Sequence, residues 1–334
     1  MVQAAQQGIR QLRVSDTPIA VVDTETTGLS AHGDRVIEIG IVLVEPGKSP
    51  RIVLDTLVNP ERPVSATEIH GITDDDVRDA PTFRDIADHV QHALHGCVFA
   101  SYNVYFDAKF IAAELNRCGI KSFPPHVCLM YLRPGLDIGP RCTLREACRI
   151  HGIPHTNAHR ASDDALVSSL LWGTYNQRMA SLQIGTYSDL ANRLSYKFLE
   201  SFDNNPLSFG SAPGSARLKA RPKVVSLSPE TPSATTQQRL AEYWEALKIV
   251  ISDLVVTDEE LRHLAIRRDQ LGLTPTQVRS LHARVFAGLL ADAACDHAID
   301  EPEAERIARL ADCLSSLGWR PGDRVGPLRL PNSM

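Results

Sequence analysis

The chain has 334 residues, too many for one domain of ordinary size and enough for two. Forty acidic against 35 basic residues leave a formal net charge of −5, which excludes a surface coated in positive charge for duplex nucleic acid. No apolar run approaches a membrane span, residues 1–16 are polar without the apolar core of a signal segment, and seven scattered cysteines read as reduced thiols in the cytoplasm.

Residues 19–23, 36–44 and 52–58 read as strands rich in β-branched side chains. The first runs from Ala20–Val22 into Asp23 and Glu25. Side chains two apart on a strand share a face, so these two carboxylates point the same way. They repel unless a cation lies between them, and hard oxygen donors suit Mg²⁺ or Mn²⁺. Gly28 to Asp34 is a short hairpin-like link, and Pro60 and Pro63 close the third strand.

Ile69-His70-Gly71-Ile72-Thr73 follows, then Asp74–Asp76, a helix start in which acids favour the dipole. Thr82 caps a helix with Phe83, Ile86, Ala87, Val90 and Leu94 at helical spacing, and Gly96 ends it. Cys97 to Ser101 is a short strand. Asn103 to Phe106 leads into a helix with Asp107, Phe110, Ile111 and Leu115, closed at Gly119. His126 to Leu129 reads as a further strand, Pro134 to Pro140 as a loop, and 144–150 as a helix started by a Thr143/Glu146 capping box. His155 to Arg160 is loop-like, and a helix runs from about 162 to 178. Cys142, Cys148, His151 and His155 do not make a zinc site, since no C-x-x-C pair is present and Cys148 falls on the apolar side of its helix.

Three strands followed by alternating helix and strand predict an α/β fold with a mixed sheet over residues 17–200, after an N-terminal tail at 1–16. Residues 203–238 are rich in Pro, Ser, Ala and Thr and read as a flexible linker, with Arg217, Lys219, Arg221 and Lys223 offering phosphate contacts. Residues 239–320 read as a separate all-α domain. Asp253 to Glu260 and Asp296 to Glu303 echo one another, each leading into a helix and then a glycine, which predicts two equivalent helical hairpins. Asp292 to Glu303 has the length of a calcium loop, but Ala294 and His297 stand where a ligand and the turn glycine belong, and helix capping explains the acids better.

Asp107 begins a helix after an apolar strand. His159 and Asp164 lie five apart at a loop-to-helix junction, so both can face one cleft. With these positions the pattern becomes specific. Asp23-Thr24-Glu25-Thr26-Thr27-Gly28, Asn103-Val104-Tyr105-Phe106-Asp107 and His159-Arg160-Ala161-Ser162-Asp163-Asp164 resemble, in order, the three motifs of the DEDDh 3′→5′ exonucleases, whose fold is ribonuclease H-like. Ile69–Thr73 fits the group that contains the polymerase III proofreading subunit. Tyr102 and Ser162 depart from the family's usual histidine and leucine, at positions that are not ligands.

The resemblance implies a metal-dependent exonuclease that hydrolyses phosphodiester bonds at the 3′ end of DNA, with two Mg²⁺ or Mn²⁺ ions. By the family's pattern Asp23 bridges both ions, Glu25 and Asp164 complete one site, and Asp107 binds the other. His159 is the general base. Thr26, through its backbone, His70 and Asn103 hold the terminal nucleotide. The implied partner is nucleic acid with a single-stranded 3′ end. An exoribonuclease, and a non-catalytic nucleic-acid-binding scaffold on the same fold, are the alternatives. The helical tail resembles TerB-like modules and is expected to be dispensable for catalysis, with a protein partner as its other expected use.

Overall fold

The five-stranded sheet has the order β3-β2-β1-β4-β5, with β1 Ile19–Thr26, β2 Val36–Val44, β3 Arg51–Leu57, β4 Val98–Ser101 and β5 His126–Cys128. β4 runs parallel to both β1 and β5, and β3 is antiparallel to β2. That is the mixed sheet the sequence predicts. The computed structural model describes residues 10–155, 160–193, 201–202, 234–251, 257–294 and 299–322. His159, nearly all of the expected linker with its basic cluster, Asp253 and Asp296 lie outside the described residues. Among the described residues no helix is long and apolar enough to cross a membrane.

The chain divides into two units. The first takes Met1–Glu25, Val36–Arg62 and Asp75–Val225. β1 is buried on both faces from Ile19 to Val22, so its side chains read as an apolar run and not as an alternation. α3 (Phe83–Leu94) follows β3 and buries Phe83, Ile86, Ala87, Val90 and Leu94, the stripe its spacing predicts. Its Thr82/Asp85 capping box fixes where it starts. α4 (Val104–Arg117) lies against β4 and β5. α5 (Leu129–Gly135) occupies the first two positions of the expected 134–140 loop. Pro134 sits in its last turn, where its missing N–H costs this short helix one bond, the one back to the Met130 carbonyl. α6 (Leu144–Ile150) starts at Thr143, whose hydroxyl accepts from the Glu146 N–H. α7 (Ala161–Ser181) packs across β2 and β3 and buries Leu171, Tyr175 and Met179, and α8 (Tyr187–Arg193) follows it.

The second unit does not follow the division of the chain that the sequence suggests. Beside Ser226–Met334 it takes Thr26–Arg35 and Pro63–Asp74, two segments expected inside the nuclease-like domain. The second of these carries the four-residue α1 (Thr67–His70) and leads into α2 (Asp74–Val77). The tail supplies α9 (Ala234–Ile251), α10 (Asp258–Gln270), α11 (Pro275–Ala293) and α12 (Glu301–Ser316). Ala66 and Ile69 are buried in one hydrophobic cluster with Leu240, Trp244 and Leu247 of α9 and Leu281 of α11. Nothing in the local sequence says what covers α1. Glu260 and Glu303 spend their carboxylates in capping boxes with Thr257 and Asp300.

Candidate active site

Asp23 and Glu25 alternate on β1 with Thr24, and the alternation sorts their roles. The two acids are half-buried, while Thr24 is buried on the opposite face. Thr24 Oγ1 donates to Asp107 Oδ1 at 2.8 Å. Ser101, at the end of β4, donates its hydroxyl to the other Asp107 oxygen. Asp107 lies in the first turn of α4 and is 4% exposed. Its carboxylate is thus held by the strand that carries Asp23 and Glu25 and by the neighbouring strand.

Asp164 sits in the first turn of α7 and is also buried. Its Oδ1 meets His155 Nε2 at 2.5 Å, with both side chains nearly covered. The start of α7 is docked on β2 by two devices. Glu38 accepts from Arg160 Nε and from the Ala161 N–H, each at 3.2 Å. Gly40 lets the helix backbone approach, since a Cβ there would lie 2.4 Å from the Ala161 carbonyl oxygen. Burial pushes the Glu38 carboxyl up to about 7, against the pull of the Ala161 N–H and the Arg160 guanidinium.

Asn103 precedes α4 as its N-cap but makes no capping bond, and its Oδ1 is buried without a hydrogen bond among the described residues. Orphaned buried carbonyls are uncommon and point to a missing partner. Tyr102, in the place of the family's usual histidine, turns inward. Its hydroxyl donates to the Cys142 carbonyl at 2.7 Å, and burial pushes its phenol well above the ordinary value. It therefore braces the segment before α6.

In the second unit, Thr26 Oγ1 donates to the Gly28 carbonyl at 2.6 Å. His70 is buried with both ring nitrogens engaged in its own loop. Nδ1 accepts from the Ile72 N–H and Nε2 donates to the Ser65 carbonyl, each at 3.0 Å, which fixes the neutral Nε2–H tautomer. The ring thus shapes a turn and has no nitrogen to spare for a phosphate.

Four carboxylates and no thiolate form a donor set that fits a hard divalent ion in kind. As the side chains lie, no three His, Cys, Asp or Glu of the described residues are grouped tightly enough to hold a metal. The sequence names the four acids as ligands. Sequence reasoning missed Thr24 and Ser101 as the donors that hold Asp107, Glu38 and Gly40 as the dock for α7, and His155, which was weighed only as a zinc ligand. Hydroxyls and loop histidines carry no periodic signal.

Residues 20–171 match the family described as Exonuclease (RNase_T). The protein named 3′-5′ exonuclease DinG from Staphylococcus saprophyticus is 32% identical over 174 residues, covering 51% of this chain and 19% of that protein. Its namesake from Staphylococcus epidermidis is 30% identical over 178 residues, again 51% and 19%. The chain therefore spans about a fifth of the length of these relatives. Among solved structures, exonuclease X in complex with 5′ overhanging duplex DNA is 25% identical with a TM-score of 0.39, covering 52% of this chain and 98% of that one. Exonuclease I of E. coli with a dT13 oligonucleotide is 16% identical with a TM-score of 0.42, covering 50% and 42%. The matched family residues end before the helical tail. The match to the exonuclease family is confined to residues 20–171, a little under half of the chain.

Proposed function

We propose that this chain is a metal-dependent 3′→5′ exonuclease that removes nucleoside monophosphates from the 3′ end of single-stranded DNA. The observation that carries the reading is the hold on Asp107. Inside a region that matches an exonuclease family, the strand bearing Asp23 and Glu25 also supplies the hydroxyl that fixes the next acid of the motif. The direction follows the relatives' name and the order of the three motifs. DNA as substrate follows the resemblance to the proofreading group.

The exonuclease family depends on divalent metal. Asp23, Glu25, Asp107 and Asp164 would hold two Mg²⁺ or Mn²⁺ ions, which stabilise the attacking and leaving oxygens of a phosphodiester when bound. Thr24 and Ser101 orient Asp107 by donating to it, and His155 does the same for Asp164. His159 takes the proton of the attacking water, a task for which an imidazole's pKa is suited. Asn103 Oδ1 is available to accept a hydrogen bond from the terminal nucleotide's hydroxyl. Thr26 lends its backbone to the nucleotide and its phosphate, and His70 contributes by shaping the turn it ties together.

The test is product analysis with 3′- and 5′-labelled single-stranded DNA, duplex DNA and RNA. Stepwise mononucleotide release from the 3′ end that EDTA stops, and that Asp23→Ala abolishes, is the expected result. Faster cleavage of RNA than of DNA would replace the substrate named here.

A further inference from the structure

The helical tail was expected to be a separate module, yet two segments from the first 75 residues are built into it. One of them, 26–35, begins at the residue after Glu25 and returns the chain to β2. The other, 63–74, carries His70. Each meets α11, one helical turn apart on the same face of that helix.

At the first contact, Arg284 Nη2 lies 2.7 Å from Glu68 Oε1, a charge pair at an angle outside hydrogen-bond geometry. The Glu68 side chain is 11% exposed, so its charge is poorly served by water and leans on Arg284. At the second, Gly288 faces Leu29. A Cβ on Gly288 would lie 2.8 Å from Leu29 Cβ, an atom too near the backbone to swing aside. α9 completes the hold, with Gln237 against Gly71 and Leu240 and Trp244 in the cluster that buries Ala66 and Ile69. Ala66 has φ 64, a left-handed conformation that a residue with a Cβ keeps only where its surroundings dictate it. The two segments are also tied to each other, since the Ser65 hydroxyl donates to the Thr27 carbonyl, and His70 in turn donates to the Ser65 carbonyl.

We infer that α9 and α11 are a clamp that sets the conformation of the segments carrying Thr26 and His70, and so set the enzyme's grip on the 3′ nucleotide. Glu68 and Arg284 are its positioning residues. The inference rests on the exonuclease reading for its effect on activity, and on the second unit alone for the clamp itself. The tail's helices then act on affinity for the substrate end and leave the hydrolytic step untouched.

The experiment uses the full chain with Mg²⁺ and labelled single-stranded DNA. Arg284→Glu and Glu68→Arg, each alone, are expected to raise KM about 10-fold with kcat held within about 3-fold, because only uniform binding is lost. The double reversal, Glu68→Arg with Arg284→Glu, restores KM if the pair acts by charge. Gly288→Ala strains the other segment and raises KM through Leu29. Amide exchange gives a readout without activity, with faster exchange over 64–74 in Arg284→Glu and recovery in the double reversal. Unchanged exchange and unchanged KM in the single reversals would overturn the clamp. So would a loss of kcat that the double reversal does not repair, the mark of general damage. A wild-type protein that cleaves nothing would refute the exonuclease reading instead, and exchange over 64–74 would still decide whether the clamp exists.

Discussion

Two histidines near Asp164 separate by the kind of loss each variant should show. His155 touches the carboxylate directly, so His155→Ala should weaken metal dependence of activity by about 10–100-fold, the usual cost of removing a partner of a ligand. His159→Ala should lower turnover at saturating metal by about 10²–10⁴-fold and leave the metal midpoint in place. A metal titration of both variants checks this, and the reversed pattern would make His155 the base. Thr24→Val leaves one oxygen of a buried carboxylate without its donor, which costs about 1–3 kcal/mol of stability and shifts the metal midpoint upward. Thermal melts with and without Mg²⁺ measure both. Why the acids were legible and their holders were not is plain at this scale. Asp23, Glu25, Asp107 and Asp164 stand where apolar patterning stops at an element's end. Thr24 finds its partner 83 residues away, and no local spacing announces that.

At the scale of elements, the docking of α7 on β2 is the join that places Asp164, and it carries a pH signature. Glu38 has its folded pKa raised from 4.5 to about 7 by burial. The folded state therefore binds the proton more tightly than the unfolded one. The stabilisation this gives is complete below about pH 4.5 and is lost as pH rises through about 7, amounting to about 3 kcal/mol at most. Melting temperature should fall over that range in the wild type and fall less in Glu38→Gln. Parallel curves for the two proteins would show that Glu38 is not the group responsible. Gly40→Ala should be worse than Glu38→Gln at every pH, because the Ala161 backbone has nowhere to retreat. The strands and long helices were readable from periodicity because each buries a face of its own. α5 was partly mistaken for loop because Pro134 reads as a breaker, whereas in the last turn of a short helix it costs one hydrogen bond. α1, four residues long, is too short for any periodicity, and its Ile69 is buried in a cluster built mostly by the tail.

At the scale of the whole molecule, the sequence suggested a nuclease that cleaves without its tail, and in the structure the tail's helices cover two segments from the first 75 residues. Ala66 and Ile69 lose their cover if α9 to α12 are removed, so a chain cut at residue 200 should melt lower and bind single strands more weakly than the full chain. The second unit also answers to acid. His282 is fully buried with Nε2 2.8 Å from the Tyr243 hydroxyl, and burial pushes its imidazole down to about 4. Its folded pKa lies below the ordinary 6.5, so stability present above 6.5 is lost as pH falls towards about 4. Trp244 and Trp319 report on this unit by fluorescence, and their transition should move to lower temperature between pH 6.5 and 4, less so in His282→Asn.

The central claim is that Asp23 and its companion acids cut nucleotides from a 3′ end. The direct measurement is a time course with 5′-labelled single-stranded DNA in Mg²⁺, comparing wild type with Asp23→Ala. The account predicts a ladder shortening one nucleotide at a time in the wild type and an unchanged strand with the variant or with EDTA. Internal cuts from the first time point, or a full ladder from Asp23→Ala, would contradict it.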